Sequence, residues 1–283
     1  MFTRYIGLLL ACGTVVLLGG TWVDAQTQPK KDGPLLAPKG FDKARTGIDK
    51  GKLETLEYES KTVGAKRKLV VYTFPGYKQG GNNLLPIFYL LHGKGGNETS
   101  WSKGGGAANT ILDNLYADKK LVPMIVVMPN GTMDAAAGGK KADFENELLK
   151  DIMPFVEGRY PIQKDPEHRA IAGLSMGGGQ ALRAGLRNID KFAYIGGYSS
   201  ALFGAQNLVS NPADANKKIK LLYVGCGDSP KETLFDANKG FHNTLEKSKV
   251  NHIWNVFPEG QHNYQVWKND LYVFSQMLFK DKK

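Results

Sequence analysis

Ser175 stands between two glycines in Gly173-Leu174-Ser175-Met176-Gly177, where the apolar run "HRAIAGLS" gives way to the helix-like run "GGGQALRAGLRN". This is the spacing of a nucleophile elbow, in which a turn from strand to helix too tight for flanking side chains pushes a serine out above the sheet edge. The amides of the following helix point at the same spot and favour negative charge there. A serine hydroxyl attacks a carbonyl only when a base takes its proton, so a histidine is required. Five histidines compete. His168 starts the serine's own strand and lies at its wrong end. His92 precedes the serine, His242 lies inside a helix-like run, and His252 starts a strand. His262 alone follows a strand ("IWNVFPEG") in a loop that opens a helix, and it is the expected base.

The base needs an acid to hold its tautomer and stabilise its charged form. Asp228 ends the strand "KLLYVGCGD" and falls between serine and histidine in chain order, as the elbow's usual order requires. A plain turn cap is its alternative role. Asp236, a helical turn or more past the strand end, and Glu259, very close to His262, are the competing acids. The oxyanion of a tetrahedral intermediate needs backbone donors. Met176 follows the serine, and Lys94 or Gly95 in "HGKGG" would supply the second N–H, with His92 pinning that loop.

These side chains need a scaffold that brings them to one rim. "LETLEYESKTV" and "AKRKLVVYTFPGY" partly alternate, as an antiparallel pair does. "LPIFYLLHG", "MIVVMPN", "HRAIAGLS", "FAYIGGYSS", "KLLYVGCGD" and "HIWNVFPEG" read as further strands, most of them continuously apolar. Between them, "AANTILDNLYADKK", "DFENELLKDIMPFVEGRY", "GGGQALRAGLRN", "FDANKGFHNTLEKSK" and "YQVWKNDLYVFSQMLFK" read as helices. Buried strands alternating with helices predict an α/β fold: a mostly parallel sheet of about eight strands, helices on both faces and an antiparallel N-terminal edge. Ligands in such sheets bind beyond the carboxyl ends of the strands, where every candidate above sits.

The 283 residues suit one domain, and 42% hydrophobic with 23% charged residues suits a globular chain with a substantial core. The net charge of +10 comes with no basic helix or aromatic-basic stripe, so a nucleic-acid partner is not expected. Residues 1–25 carry Arg4, an apolar run and a small-residue "VDA" boundary. They predict a signal peptide cleaved after Ala25, a secreted or periplasmic protein and no stable membrane insertion; an uncleaved anchor is the alternative. Residues 26–50 read as a flexible basic lead-in and 51–283 as the catalytic domain. After cleavage Cys226 is the only cysteine, which excludes an internal disulfide. One cysteine and scattered histidines do not make a ligand cluster, so neither metal nor organic cofactor is expected.

"YLLHGKGGNETSW", "HRAIAGLSMGGGQALRAGL", "KFAYIGGYSSA", "LLYVGCGDS" and "GQHNYQVWKNDLYVF" together resemble the esterase-D-like family of α/β-hydrolases. They look most like the bacterial feruloyl and acetyl-xylan esterase domains of carbohydrate esterase family 1 type, over roughly residues 55–280. The resemblance implies an α/β-hydrolase fold with Ser175 as nucleophile, Asp228 as acid and His262 as base. It implies hydrolysis of acylated carbohydrate or small aryl esters through an acyl-enzyme, feruloyl esters first and acetyl-xylan second. An acyltransferase or a non-catalytic envelope or carbohydrate-binding protein on the same scaffold are the alternatives. Trp101, Asn130, Tyr198 and Trp267 fall on or just past the strand-end loops and would line the substrate groove, with the aromatic rings stacking on a phenolic acid or sugar. For Trp267, packing of the last helix against the sheet is an equal alternative.

Overall fold

The computed structural model describes residues 33–81, 83–133, 143–203 and 207–280. The signal peptide expected over residues 1–25 lies outside them. An eight-stranded sheet runs in the order β1-β2-β4-β3-β5-β6-β7-β8. Its strands are β1 (Lys52–Ser60), β2 (Ala65–Thr73), β3 (Ile87–Leu91), β4 (Ile125–Pro129), β5 (Arg169–Leu174), β6 (Tyr194–Tyr198), β7 (Leu221–Gly227) and β8 (Ile253–Phe257). β1 pairs antiparallel with β2 and β2 with β4; the other neighbours are parallel. This is the α/β-hydrolase sheet expected, with the antiparallel edge where the alternating runs placed it.

The strand side chains divide between two cores with the period of two that a pleated strand imposes. Ile87, Tyr89 and Leu91 face one core, together with α2 (Phe144–Glu147), α3 (Met153–Glu157), α4 (Ser175–Arg187) and α6 (Phe235–Lys247). Phe88 and Leu90 face the other, with α1 (Ala108–Ala117) and α7 (Tyr264–Ser275). A short α5 (Pro212–Lys218) precedes β7. The stretch read as one helix over "DFENELLKDIMPFVEGRY" is α2 and α3 joined by a π turn, Leu148–Ile152. Pro154, at the start of α3, brings no N–H to the helical ladder, which accounts for the altered turn just before it.

The lead-in expectation needs correction for residues 33–50. The compact unit begins at Gly33. Leu35 exchanges hydrogen bonds with the Asn255 amide, its N–H to Oδ1 (2.7 Å) and its carbonyl from Nδ2 (3.1 Å). Ala37 N–H donates to Asn269 Oδ1 (2.7 Å), and Asn114 Nδ2 donates to the carbonyls of Phe41 and Lys43. Lys268 pairs with Asp42, and Phe41 lies edge-on to Tyr272 at 5.2 Å. A segment without periodicity is thus held by side chains of α1, β8 and α7, partners that lie far along the chain.

Candidate active site

Register decides which loops meet. Leu174 pairs with Tyr198, Tyr198 with Gly225, and Gly227 with Phe257, so β5 to β8 end at one rim. Ser175 follows β5 directly and opens α4 with φ 52°. A side-chain-bearing residue in the left-handed region costs about 1–3 kcal/mol and persists only where its surroundings enforce it. Here they do. A Cβ on Gly173 would lie 2.6 Å from the carbonyl carbon of Gly177, and one on Gly177 would lie 2.3 Å from the His92 carbonyl oxygen. Both flanking positions must be glycine for the elbow to close.

His262 Nε2 lies 3.0 Å from Ser175 Oγ. Its Nδ1 lies 2.8 Å from Oε1 of Glu232, not from Asp228. Glu232 is buried; its Oε2 accepts from Ser199 Oγ (2.8 Å) and its Oε1 from Leu234 N–H (3.1 Å). Burial alone would raise its pKa, but the bonds from His262 and Ser199 outweigh burial and hold the carboxyl below its ordinary range. An ionised carboxylate only accepts, so Nδ1 carries the proton and Nε2 turns its lone pair to the serine.

Asp228 is therefore corrected. It is exposed, and its Oδ1 accepts from Glu259 N–H at 2.5 Å, the turn-cap role that was its alternative. Ser229 N–H also donates to Gly260 O (3.0 Å), so the loops after β7 and β8 are stapled to each other. That staple spends the Asp228 side chain at the edge. The loop then turns inward through Glu232 N–H to Ser229 O (2.8 Å) and presents the longer glutamate beneath the imidazole. Asp236 lies in α6 and Glu259 meets Asp228, so neither competing acid faces His262. Glu232 was not among the sequence candidates. Its only sequence signal is that it is the second carboxylate between the β7 and α6 runs. Ser199, φ 43°, was also missed; it directly follows β6 and is fully buried.

The loop after β3 begins against the serine: a Cβ on Gly93 would lie 3.3 Å from Ser175 Cβ. Gly96 N–H closes a turn on Gly93 O (3.1 Å), and Gly95 has φ 77°, the third-position value of a type II turn. Lys94 and Gly95 are exposed at its tip. Met176 lies in the first turn of α4, where helical N–H groups have no intrahelical acceptor. His92 pins this loop as expected. It is buried, Gly131 N–H donates to its Nε2 (2.9 Å), and its Nδ1 then donates to Gly93 O (2.7 Å). Burial lowers its pKa and keeps it neutral.

The expected groove aromatics do not form a groove. Trp101 is 1% exposed and gives its Nε1–H to Leu91 O (2.9 Å). Tyr198 is fully buried, edge-on to Trp101 at 6.4 Å. Trp267 is 8% exposed and meets the His262 ring edge-on at 4.9 Å, packing α7 behind the imidazole. These three rings form a buried backing for the site, because each projects from its element into the α1/α7 core. Asn130 is half-buried, its Oδ1 accepting from Thr132 N–H (3.0 Å), so it shapes the loop after β4. A cavity of about 310 Å³, lined by Met133, Phe144, Gln180, Arg183 and Arg187 among others, lies beside that loop.

The Esterase family model matches residues 60–277. A curated endo-1,4-beta-xylanase/feruloyl esterase of Xylanibacter ruminicola is 33% identical over 267 residues, 92% of this chain. The match covers 35% of that relative, so the chain spans about a third of its length. An acetyl esterase of Caldicellulosiruptor saccharolyticus is 26% identical over 65% of this chain and 79% of its own. The solved ferulic acid esterase of Anaeromyces mucronatus, in complex with ferulic acid, superposes with a TM-score of 0.78 at 23% identity, over 88% of this chain and 98% of that one.

Proposed function

The chain belongs to the Esterase family of α/β-hydrolases, and we propose that it is a serine carboxylic-ester hydrolase acting on acylated plant cell-wall carbohydrate, on feruloyl esters first and acetyl esters second. The observation that carries the reading is the imidazole of His262 bridging Ser175 Oγ and Glu232. As Oγ attacks the ester carbonyl carbon, its proton passes to Nε2. The carbonyl oxygen becomes an anion that the amides of Met176 and of Lys94 or Gly95 would receive; one such donor is worth about 3 kcal/mol in the barrier. Collapse expels the alcohol, which takes the proton from the imidazolium and leaves the acyl group on Ser175. Water repeats the sequence and frees the acid. Glu232 takes no proton; it holds the tautomer and offsets the imidazolium charge.

The feruloyl preference is supported by the 33% relative, named for that activity, and the acetyl reading by the 26% one. Export rests on residues 1–25; among the described residues no helix is long and apolar enough to cross a membrane. Purified protein should hydrolyse p-nitrophenyl acetate and methyl ferulate, and Ser175→Ala should lower turnover by a factor on the order of 10⁶. An unchanged rate in that variant, or no labelling of Ser175 by a fluorophosphonate, would remove the catalytic reading. Acetylated xylan turned over with methyl ferulate untouched would reverse the order of substrates.

A further inference from the structure

Three potential metal ligands meet at the end of the molecule away from Ser175. His242 and Glu246 lie four residues apart on α6, hence on one face, and His252 immediately precedes β8. His242 Nδ1 is 2.8 Å from His252 Nε2, and His252 Nε2 is 3.9 Å from Glu246 Oε1. One ligand atom from each residue falls within 4.8 Å of the others. His262 follows the far end of β8, and a five-residue strand spans about 17 Å, so this cluster is separate from the catalytic histidine.

The surroundings prepare these groups as ligands. The His252 side chain is 1% exposed, and its Nδ1–H donates to Val250 O (2.7 Å). That bond fixes the tautomer and turns the Nε2 lone pair into the cluster, which is how an outer hydrogen bond orients a metal-binding imidazole. The His242 ring stacks on Trp254, 5.2 Å between centroids at 9°. Glu246 is 56% exposed and leaves a path for an ion and its water.

We propose that His242, Glu246 and His252 bind one divalent transition-metal ion of the zinc or copper type, with water completing the coordination, as a clip between α6 and β8. Two imidazoles and one carboxylate suit such ions and not calcium or magnesium, which take oxygen donors. Without metal, His252 Nε2 accepts the His242 Nδ1 proton. For the ion to take its place, that proton passes through solvent to Nε2 of the same His242 ring, so that both imidazoles bind as neutral ligands, and the two nitrogens separate to about 3.3 Å, the spacing of tetrahedral ligands at about 2.05 Å. The clip joins the second half of α6 to the start of β8, at the opposite ends of these elements from the loops that bear Glu232 and His262.

The test uses tag-free, chelator-stripped protein. Equilibrium dialysis against zinc should give one ion per chain, and the cobalt(II) derivative should show the visible absorption of a site with nitrogen ligands. Zinc should raise the melting temperature and leave turnover of p-nitrophenyl acetate unchanged. Glu246→Gln alters an exposed side chain and should weaken binding about tenfold or more; adding His242→Gln should abolish it. No uptake by the wild type overturns the proposal. So does uptake that survives in the folded double variant, or uptake that falls in step with loss of esterase activity, since either places the ion elsewhere.

Discussion

Two buried carboxylates in this molecule are driven in opposite directions. Glu232, at the catalytic rim, is met by a histidine, a serine hydroxyl and a backbone amide, and its pKa is held down despite burial. Asp270, on α7 beneath β7, is fully buried, and Tyr223 Oη donates to its Oδ1 at 2.7 Å. Burial pushes its pKa up to about 7 against the pull of Tyr223 and its asparagine neighbours. Asp270 lies deeper and its donors are neutral, while Glu232 sits nearer the rim and faces the imidazole of His262. A carboxylate in the interior stays charged where donors and an opposite charge outweigh its lost water, and takes a proton where burial wins. The rim thus keeps a permanent acceptor for His262. The underside keeps a polar group that ties Tyr223 to Asn255, and through it to residues 33–50.

The comparison breaks most sharply at the acid. Glu232→Gln, similar in size but uncharged, should cut kcat by a factor of about 10³ to 10⁴, the effect of a triad acid turned amide, while Asp228→Asn should leave kcat within about threefold. Steady-state kinetics on p-nitrophenyl acetate for both variants decides between them, and the reverse ranking would restore Asp228 as the acid.

Next comes the pH dependence of stability. Asp270 is protonated in the folded chain up to about pH 7 and ionises in the unfolded chain near the ordinary carboxylate value. The folded state therefore holds more protons over that window. Asp270 makes stability fall as pH rises from about 4 to 7, by up to about 4 kcal/mol, and then level off. Glu232, with its lowered pKa, contributes stability that is present above the unfolded value and lost as pH falls through the folded one. Urea unfolding across this range should show Asp270→Asn flattening the fall toward neutral pH and Glu232→Gln removing part of the loss toward acid pH.

Ser199→Ala sharpens the contrast with the smallest change. It removes one donor from Glu232 and moves that carboxylate a step toward the condition of Asp270. A hydrogen bond to a charged group is worth about 1.5–3 kcal/mol, so kcat should fall roughly tenfold and the acid limb of kcat/KM should move to higher pH. An unmoved acid limb would show that His262 and Leu234 N–H suffice.

Serine and base were legible in the sequence because each sits in a local pattern. Ser175 carries its own glycines and its strand-to-helix junction, and His262 alone among the histidines follows a strand into a helix. The sheet was legible for the same reason, since strand runs repeat their apolar faces over short windows. Glu232 was not, because chain order and strand ends favoured Asp228, while the choice depends on a hydrogen bond between the loops after β7 and β8. The aromatic rings were placed near the site but on the wrong side of solvent, because position on a loop does not say which way a ring turns.

The amino-acid sequence by itself determined the α/β alternation, the elbow at Ser175 and the order in which nucleophile and base occur. Each of these depends on residues within one turn or one strand of each other. Only the tertiary structure decided which carboxylate meets His262, that residues 33–50 are bound to the domain, and that His242 and His252 touch. Those contacts join segments whose meeting is set by strand register and loop closure, and no local pattern along the chain encodes the distance across them.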